Sequence, residues 1–332
     1  MEQRIRGFLS NLLARFAENG FWLARYMERT ENLARILDVN ESFARDQHGE
    51  QEWLPIVNLH ADEDAFFERY REATADAVIE FYTIDRENPN SIVQMVWSAR
   101  ENARSLRHLI SIEMWSQLNV FYRYVSELDS RNLRLAELSH LCQVIKEGCQ
   151  LHTGIIEGTT FRDQGWIFYQ LGKMIDRADQ TTRLLDIKYH RLLPNVTDVG
   201  SAIDVSQWNA LLRSVAGYHG YRRECPSGMT PASVVEFIMM NPAFTRSIAC
   251  CVLRIRGFLD RLSDDPALVG VKIDMQPVQR IQDQLSVPIK QAIGEGLHEY
   301  LDRIQISLQE LADMISMTYF GADSTVDASV NE

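Results

Sequence analysis

Apolar residues recur every three to four positions along almost the whole chain. No stretch alternates with the period of two that a half-buried strand requires. A chain patterned this way buries its apolar stripes helix against helix, so the fold class is an all-α multi-helix bundle. The spacing predicts helices over residues 6–39, 62–83, 91–125, 129–156, 163–193, 206–221 and 276–320, the last interrupted near Pro288. A connector is expected over 41–60 and a loop over 195–205. Asn88-Pro89-Asn90-Ser91 reads as a stop and restart. Thr230-Pro231 and Asn241-Pro242 each read as an N-cap followed by proline at the first helical position. The expected organisation is one helical domain over residues 1–320 and a disordered acidic tail over 321–332.

Charge narrows the function classes. Lys and Arg number 34 against 46 Asp and Glu, a net charge of −12, which disfavours a nucleic-acid partner. The longest purely apolar stretches, such as 248–253, fall far below the roughly 18 residues a membrane helix needs, so no membrane partner is expected. The N-terminal segment lacks an uninterrupted apolar core of the secretory kind, which points to a cytoplasmic location. Five cysteines (Cys142, Cys149, Cys225, Cys250 and Cys251) form no CxxC pair and are odd in number, which argues against a disulfide framework.

The chain repeats itself internally. Residues 23–40 lie over 171–188 without a gap, at an offset of 148. Leu23, Arg29, Arg35, Leu37 and Asp38 recur as Leu171, Arg177, Arg183, Leu185 and Asp186. Arg25, Glu28, Glu31 and Asn32 recur conservatively as Lys173, Asp176, Asp179 and Gln180. The expectation is two related helical halves packed about an approximate two-fold axis.

Helix geometry gives the repeat a chemical meaning. At about 100° per residue, Leu23, Tyr26, Met27, Thr30, Leu33, Ala34 and Leu37 share one face. Arg25, Glu28, Glu31, Arg35 and Asp38 share the opposite one. The second copy sets Leu171, Met174, Ile175, Ala178 and Leu185 against Lys173, Asp176, Asp179, Arg183 and Asp186. Glu31–Arg35 and Asp179–Arg183 are i,i+4 pairs in the favourable order. Arg29 and Arg177 stand at the boundary of the two faces, where they can reach a neighbouring helix. Such stripes are commonly solvated, but the same order at the same phases in two copies marks a specific polar network. Arg100, Glu101, Arg104, Arg107 and His108 form a related cluster, and Glu113, among apolar positions, is read as a buried carboxylate needing an Arg partner.

Catalytic and cofactor motifs are sparse. The chain has no GxGxxG, P-loop or GxSxG sequence. Glu137-Leu138-Ser139-His140 has the ExxH spacing of di-iron bundles, but no second ExxH exists, so no metal centre and no cofactor are expected. Trp97, Trp115, Trp166 and Trp208 are read as core aromatics.

Several of these segments resemble the bacterial alpha-E domain family. They are residues 13–32 around Arg25-Tyr26-Met27-Glu28-Arg29-Thr30-Glu31-Asn32, Ala99-Arg100-Glu101-Asn102-Ala103-Arg104, Ser111-Ile112-Glu113-Met114-Trp115 and Arg162-Asp163-Gln164-Gly165-Trp166. Asp176-Arg177-Ala178-Asp179, residues 207–214, Tyr221-Arg222-Arg223 and Arg246-Ser247 extend the likeness to roughly 9–320. Gly20 and Asp176 depart from the family pattern, where Leu and Glu are more usual. The resemblance implies a helical protein encoded beside a circularly permuted ATP-grasp ligase-like protein, in a system that forms or modifies an amide or peptide product.

Two functional expectations follow. In the first, the chain is a non-catalytic helical partner of an ATP-grasp amide-bond ligase, its charged face docking the ligase or presenting a peptide-like substrate. Charge reversal at Glu28 and Asp176 would then abolish partner binding and leave the fold intact. In the second, the chain is an enzyme acting on a peptide-like or amino-acid substrate. Glu28, Glu31, Asp176, Asp179 and Glu113 would then be its acids, and Arg29, Arg177 and Arg104 would bind a carboxylate or phosphate.

Overall fold

The computed structural model describes residues 2–46, 53–129, 131, 133–192, 202–226, 228–268 and 271–321. Every regular element among them is helical. In chain order these are α1 (Glu2–Asp46), α2 (Leu54–His60), α3 (Glu63–Phe67), α4 (Ala75–Thr83), α5 (Ile92–Ser105), α6 (Ile112–Ser126) and α7 (Leu138–Thr159). They continue as α8 (Gln164–Leu192), α9 (Ala202–Ser214), α10 (Tyr218–Glu224), α11 (Pro231–Met240), α12 (Ile248–Ser263), α13 (Gln276–Leu285) and α14 (Ile289–Ile315).

Local capping chemistry decides where these helices begin. The hydroxyls of Thr74, Ser91, Ser111, Thr230 and Ser247 each accept a backbone N–H three residues further on. Those caps divide spans that hydrophobic periodicity reads as single helices. The span 62–83 becomes α3 and α4, and 91–125 becomes α5 and α6. The span 206–221 breaks into α9 and α10, where Ala216 turns left-handed at φ 56°. The Asn241-Pro242 expectation is overturned. Asn241 ends α11, its Oδ1 accepts the N–H groups of Ala243 and Phe244, and Ser247 opens α12 instead. The expected connector at 41–60 is also shorter, because α1 runs on to Asp46 and α2 begins at Leu54. Most of the expected 195–205 loop and all but Gly321 of the expected tail lie outside the described residues.

The bundle is built around α1 and α8. At about 1.5 Å per residue, the 45 residues of α1 extend for about 68 Å. The two helices run side by side in the same direction: Gly20 lies against Gly165, Phe21 against Gly172, and Glu28 against Arg177. On their flanks α5, α7 and α9 pack against α1, while α2, α12 and α14 pack against α8. In its middle stretch α1 is therefore buried nearly all round, its charged face as well as its apolar one. Phe21, Leu23, Leu37, Leu171 and Leu185 lie in the same core.

Close approach of the two backbones depends on Gly172. A Cβ there would run into the carbonyl of Phe21. Gly154, in the middle of α7, has open space around it. Gly172→Ala is therefore expected to destabilise the protein by about 1–3 kcal/mol through forced separation of α1 and α8. Gly154→Ala should be neutral or stabilising by up to about 1 kcal/mol, and paired urea denaturation curves read both.

Candidate functional site: a buried ion-pair seam and its cavity

The charged faces of α1 and α8 meet each other. Arg177 grips Glu28 with two bonds, Nε to Oε1 at 2.9 Å and Nη2 to Oε2 at 2.7 Å. Arg29 Nε donates to Asp176 Oδ2 at 2.8 Å, and Arg25 Nε donates to Asp176 Oδ1 at 3.0 Å. The Arg29–Asp176 and Arg177–Glu28 contacts are reciprocal at the 148-residue offset: each arginine binds the acid that precedes its counterpart. Arg25 also lies over the ring of Trp22 at 4.6 Å, which keeps its charge off the apolar core.

Further groups close the seam. From the turn before α12, Arg246 donates to Glu28 Oε1 at 3.0 Å, Asn32 Oδ1 at 3.1 Å and Glu31 Oε1 at 2.6 Å. Arg35 binds Glu31 at 2.5 Å and donates to the Ser214 carbonyl at the end of α9. Arg183 pairs with Asp179 at 2.8 Å and donates to the Leu59 carbonyl beside α2. Glu28 and Asp176 are only 3% and 1% exposed. Burial alone would raise the Glu28 pKa, but Arg177 and Arg246 hold it well below the usual carboxylate range. Glu31 is lowered too, since Arg246 and Arg35 outweigh its burial and the neighbouring Glu28.

The seam carries more positive than negative charge. Six guanidinium groups (Arg25, Arg29, Arg35, Arg177, Arg183 and Arg246) share four carboxylates (Glu28, Glu31, Asp176 and Asp179). Buried Lys173 is a further amine; burial, helped by Arg177, pulls its pKa down to about 8.

At one end the seam opens into a cavity of about 140 Å³ between α1, α2, α5 and α8. Arg29, Arg183, Asp179, His60, Asn90 and Gln180 supply its polar lining, and Leu33 and Met95 its apolar lining. Arg29 is fixed through Nε and Arg183 through Nε and Nη1, which leaves both Nη groups of Arg29 and Nη2 of Arg183 for a ligand. His60 Nδ1 donates to the Ile56 carbonyl at 2.9 Å, which leaves Nε2 as an acceptor. Burial lowers the His60 pKa to about 4.

Of the residues singled out from sequence, Arg25, Glu28, Arg29, Glu31, Arg35, Asp176, Arg177, Asp179 and Arg183 are brought together. Arg104 and Glu113 are not. Arg104 is exposed in the last turn of α5 and pairs with Glu101 at 2.6 Å. Glu113, expected to be buried, is exposed in the first turn of α6, where a helix N-terminus favours an acid without an arginine. The Glu137/His140 pair lies at the surface. Among the described residues one group, Asp186, His298 and Asp302, brings ligand-type atoms within 4.8 Å of one another. His298 is bonded to Asp186 at 2.9 Å, and that contact raises its pKa. Arg246 and His60 were not anticipated as site residues, because one comes from a turn and the other from a segment read as a connector.

Removing one partner of a buried pair leaves the other charge desolvated and unmatched. Asp176→Asn and Glu28→Gln should each cost about 3–5 kcal/mol, so the expectation that charge reversal there spares the fold is corrected. Glu113→Ala and Arg104→Ala should stay within about 0.5 kcal/mol of the parent. Thermal and urea melts of the four variants separate the two groups.

A pH dependence follows from two histidines. Gln117 donates to the Gly148 carbonyl, so its Oε1 accepts His152 Nδ1 at 3.1 Å and the buried Nε2 stays unprotonated. Burial lowers the His152 pKa to about 3. The unfolded chain takes up these two protons near pH 6.5, whereas the folded one does so only near 4 and 3. Stability is therefore complete above pH 6.5 and falls as the pH drops through that window. Imidazole ¹⁵N shifts should show both rings neutral at pH 5.5; a ring titrating near 6.5 would contradict this.

No solved structure matches the chain. An uncharacterised protein of Mycobacterium bovis is 26% identical over 326 residues, covering 90% of this chain and 36% of its own length. An uncharacterised protein of Mycobacterium tuberculosis matches with the same identity and coverage. The chain thus spans about a third of the length of these relatives. Residues 12–320 match the Alpha-E family, described as "a predicted alpha-helical domain with a conserved ER motif". Glu28-Arg29 is such a pair, set in the middle of the seam. With the match covering nearly all of its length, the chain belongs to the Alpha-E family.

Proposed function

We propose that this domain is a non-catalytic helical partner of an ATP-grasp-type amide-bond-forming ligase, and that it holds an anionic ligand in the cavity between Arg29 and Arg183. The observation that carries the ligand-binding half is the excess of guanidinium groups over carboxylates in the seam, with the part-exposed Arg29 and Arg183 lining a partly open cavity at its end. An anion seated between these part-buried guanidinium groups balances the cationic excess through charge-assisted hydrogen bonds. The ligase half rests on the family resemblance. The relatives add that the matched region is part of a much longer chain.

The acids of the seam argue against the enzymatic alternative. Glu28 and Glu31 are each bound by two arginines, and Asp176 by two. Glu28 and Glu31, held below the usual carboxylate range by their arginines, are poor proton shuttles at neutral pH. The reciprocal seam also supports two related halves. In this reading Glu28-Arg29 and Asp176-Arg177 are one motif used twice, meeting as the two sides of a parallel pair.

Because the charged faces are internal, partner docking is assigned to another surface. Leu109, Ile112 and Phe161 are 55%, 84% and 83% exposed and flank the Ser111–Thr159 hydroxyl contact that joins the α5–α6 and α7–α8 turns. Exposed large apolar side chains grouped in this way fit a protein interface. Co-expression with a circularly permuted ATP-grasp-like protein of the kind the resemblance implies should give a stable complex, which the double variant Ile112→Glu, Phe161→Glu weakens at least tenfold without lowering its own melting temperature. A complex that forms equally well with the variant contradicts this surface. Failure of the parent protein to form any complex contradicts the partner role.

A further inference from the structure

The cavity lining is more specific than a cationic hole, and its chemistry names a ligand class. This inference rests on the reading of the cavity as a ligand site. Two kinds of group converge there. The Nη ends of Arg29 and Arg183 are donors. Arg29 is bonded to protein only through Nε, and Arg183 through Nε and Nη1. His60 Nε2 and Asp179 Oδ1 are acceptors without a donor among the described residues. His60 cannot reverse its role, since the Ile56 carbonyl fixes the proton on Nδ1.

A bare phosphate satisfies the donors and brings at least one O–H at neutral pH, but it sets its remaining charged oxygens against Asp179. A simple carboxylate such as acetate leaves both acceptors unmet. The space of about 140 Å³ suits a small group better than a drug-sized ligand, which begins to fit at roughly 300 Å³. The group that answers both halves is an α-carboxylate with an N–H on the adjacent carbon. Two guanidinium edges take the carboxylate, and His60 and Asp179 take the nitrogen's hydrogens.

We propose that the cavity binds the α-carboxylate and α-nitrogen of an amino-acid unit, with Arg29 and Arg183 on the carboxylate and with His60 and Asp179 on the N–H. That unit is either a free amino acid or the C-terminal residue of a peptide. Leu33 and Met95 line the apolar part of the space and favour a small side chain.

Calorimetric titration of the full chain at pH 7.5 tests this with five probes: L-alanine, N-acetyl-L-alanine, L-alaninamide, acetate and inorganic phosphate. Alanine or acetyl-alanine should bind at least tenfold more tightly than acetate, phosphate or alaninamide. A preference for alanine identifies the free amino acid, and a preference for acetyl-alanine identifies a peptide terminus. Arg183→Lys keeps the charge beside Asp179 but loses the fork, and should weaken that binding at least tenfold while circular dichroism and melting temperature hold. His60→Leu should reduce alanine or acetyl-alanine to the level of acetate. Phosphate or acetate binding as well as alanine would overturn the amino-acid class and leave the anion reading standing. No binding by any of the five probes would overturn both.

Discussion

Glu28 and Arg177, with Asp176 and Arg29, are the contact on which the rest of the molecule depends. Each pair is a charge-assisted bond between two central helices, with both acids and Arg177 buried and Arg29 part-buried at the edge. A buried charge is tolerated only when its partner is held in good geometry. These bonds therefore fix how α1 and α8 are aligned along their length as well as holding them together. Slippage by one residue would leave four charges desolvated. The close backbone approach at Gly172 serves the same end, since arginine and carboxylate reach each other only when the helices are near. The outer helices then cover what the central pair leaves open, and Arg246 and Arg35 bind the turn before α12 and the end of α9 to the same acids.

This arrangement separates framework from function. Glu28, Glu31 and Asp176 are each tied to two arginines, so their chemistry is spent on structure. The groups with bonding capacity left are at the edge of the seam, where Arg29 is tied at Nε and open at Nη, and Arg183 is tied at Nε and Nη1 and open at Nη2. An orientation imposed from behind is what a binding arginine needs, because a side chain already held in place loses little entropy when a ligand arrives. The cationic surplus is notable in a chain whose net charge is −12. The acidic residues in excess are on the surface, and the interior runs the opposite way.

Much of the seam was legible in the chain. The two acid-to-arginine pairs at i,i+4 form as spaced, and Arg29 and Arg177, placed at the edge of their faces, do reach across to a neighbouring helix. Burial was not legible, because a charged stripe has the same phases whether it faces water or another charged stripe. Glu113 misled for a related reason. Its apolar neighbours suggested burial, but the cap at Ser111 restarts the helix and leaves the acid exposed in its first turn. Arg246 and His60 join the site through contacts more than a hundred residues distant in sequence, or through a short helix inside an expected connector. Periodicity carries no information about such contacts.

The most direct test of the seam is a ¹⁵N-resolved spectrum of the arginine side chains at neutral pH. Arg25, Arg29, Arg35, Arg177 and Arg183 each donate Nε–H to a carboxylate. Five dispersed, slowly exchanging Nε–H signals are therefore expected, and only those of Arg29 and Arg183 should shift when a ligand enters the cavity. Nε–H signals from these residues collapsed into the exchange-averaged envelope of solvent-exposed arginines would contradict the buried seam and the account built on it.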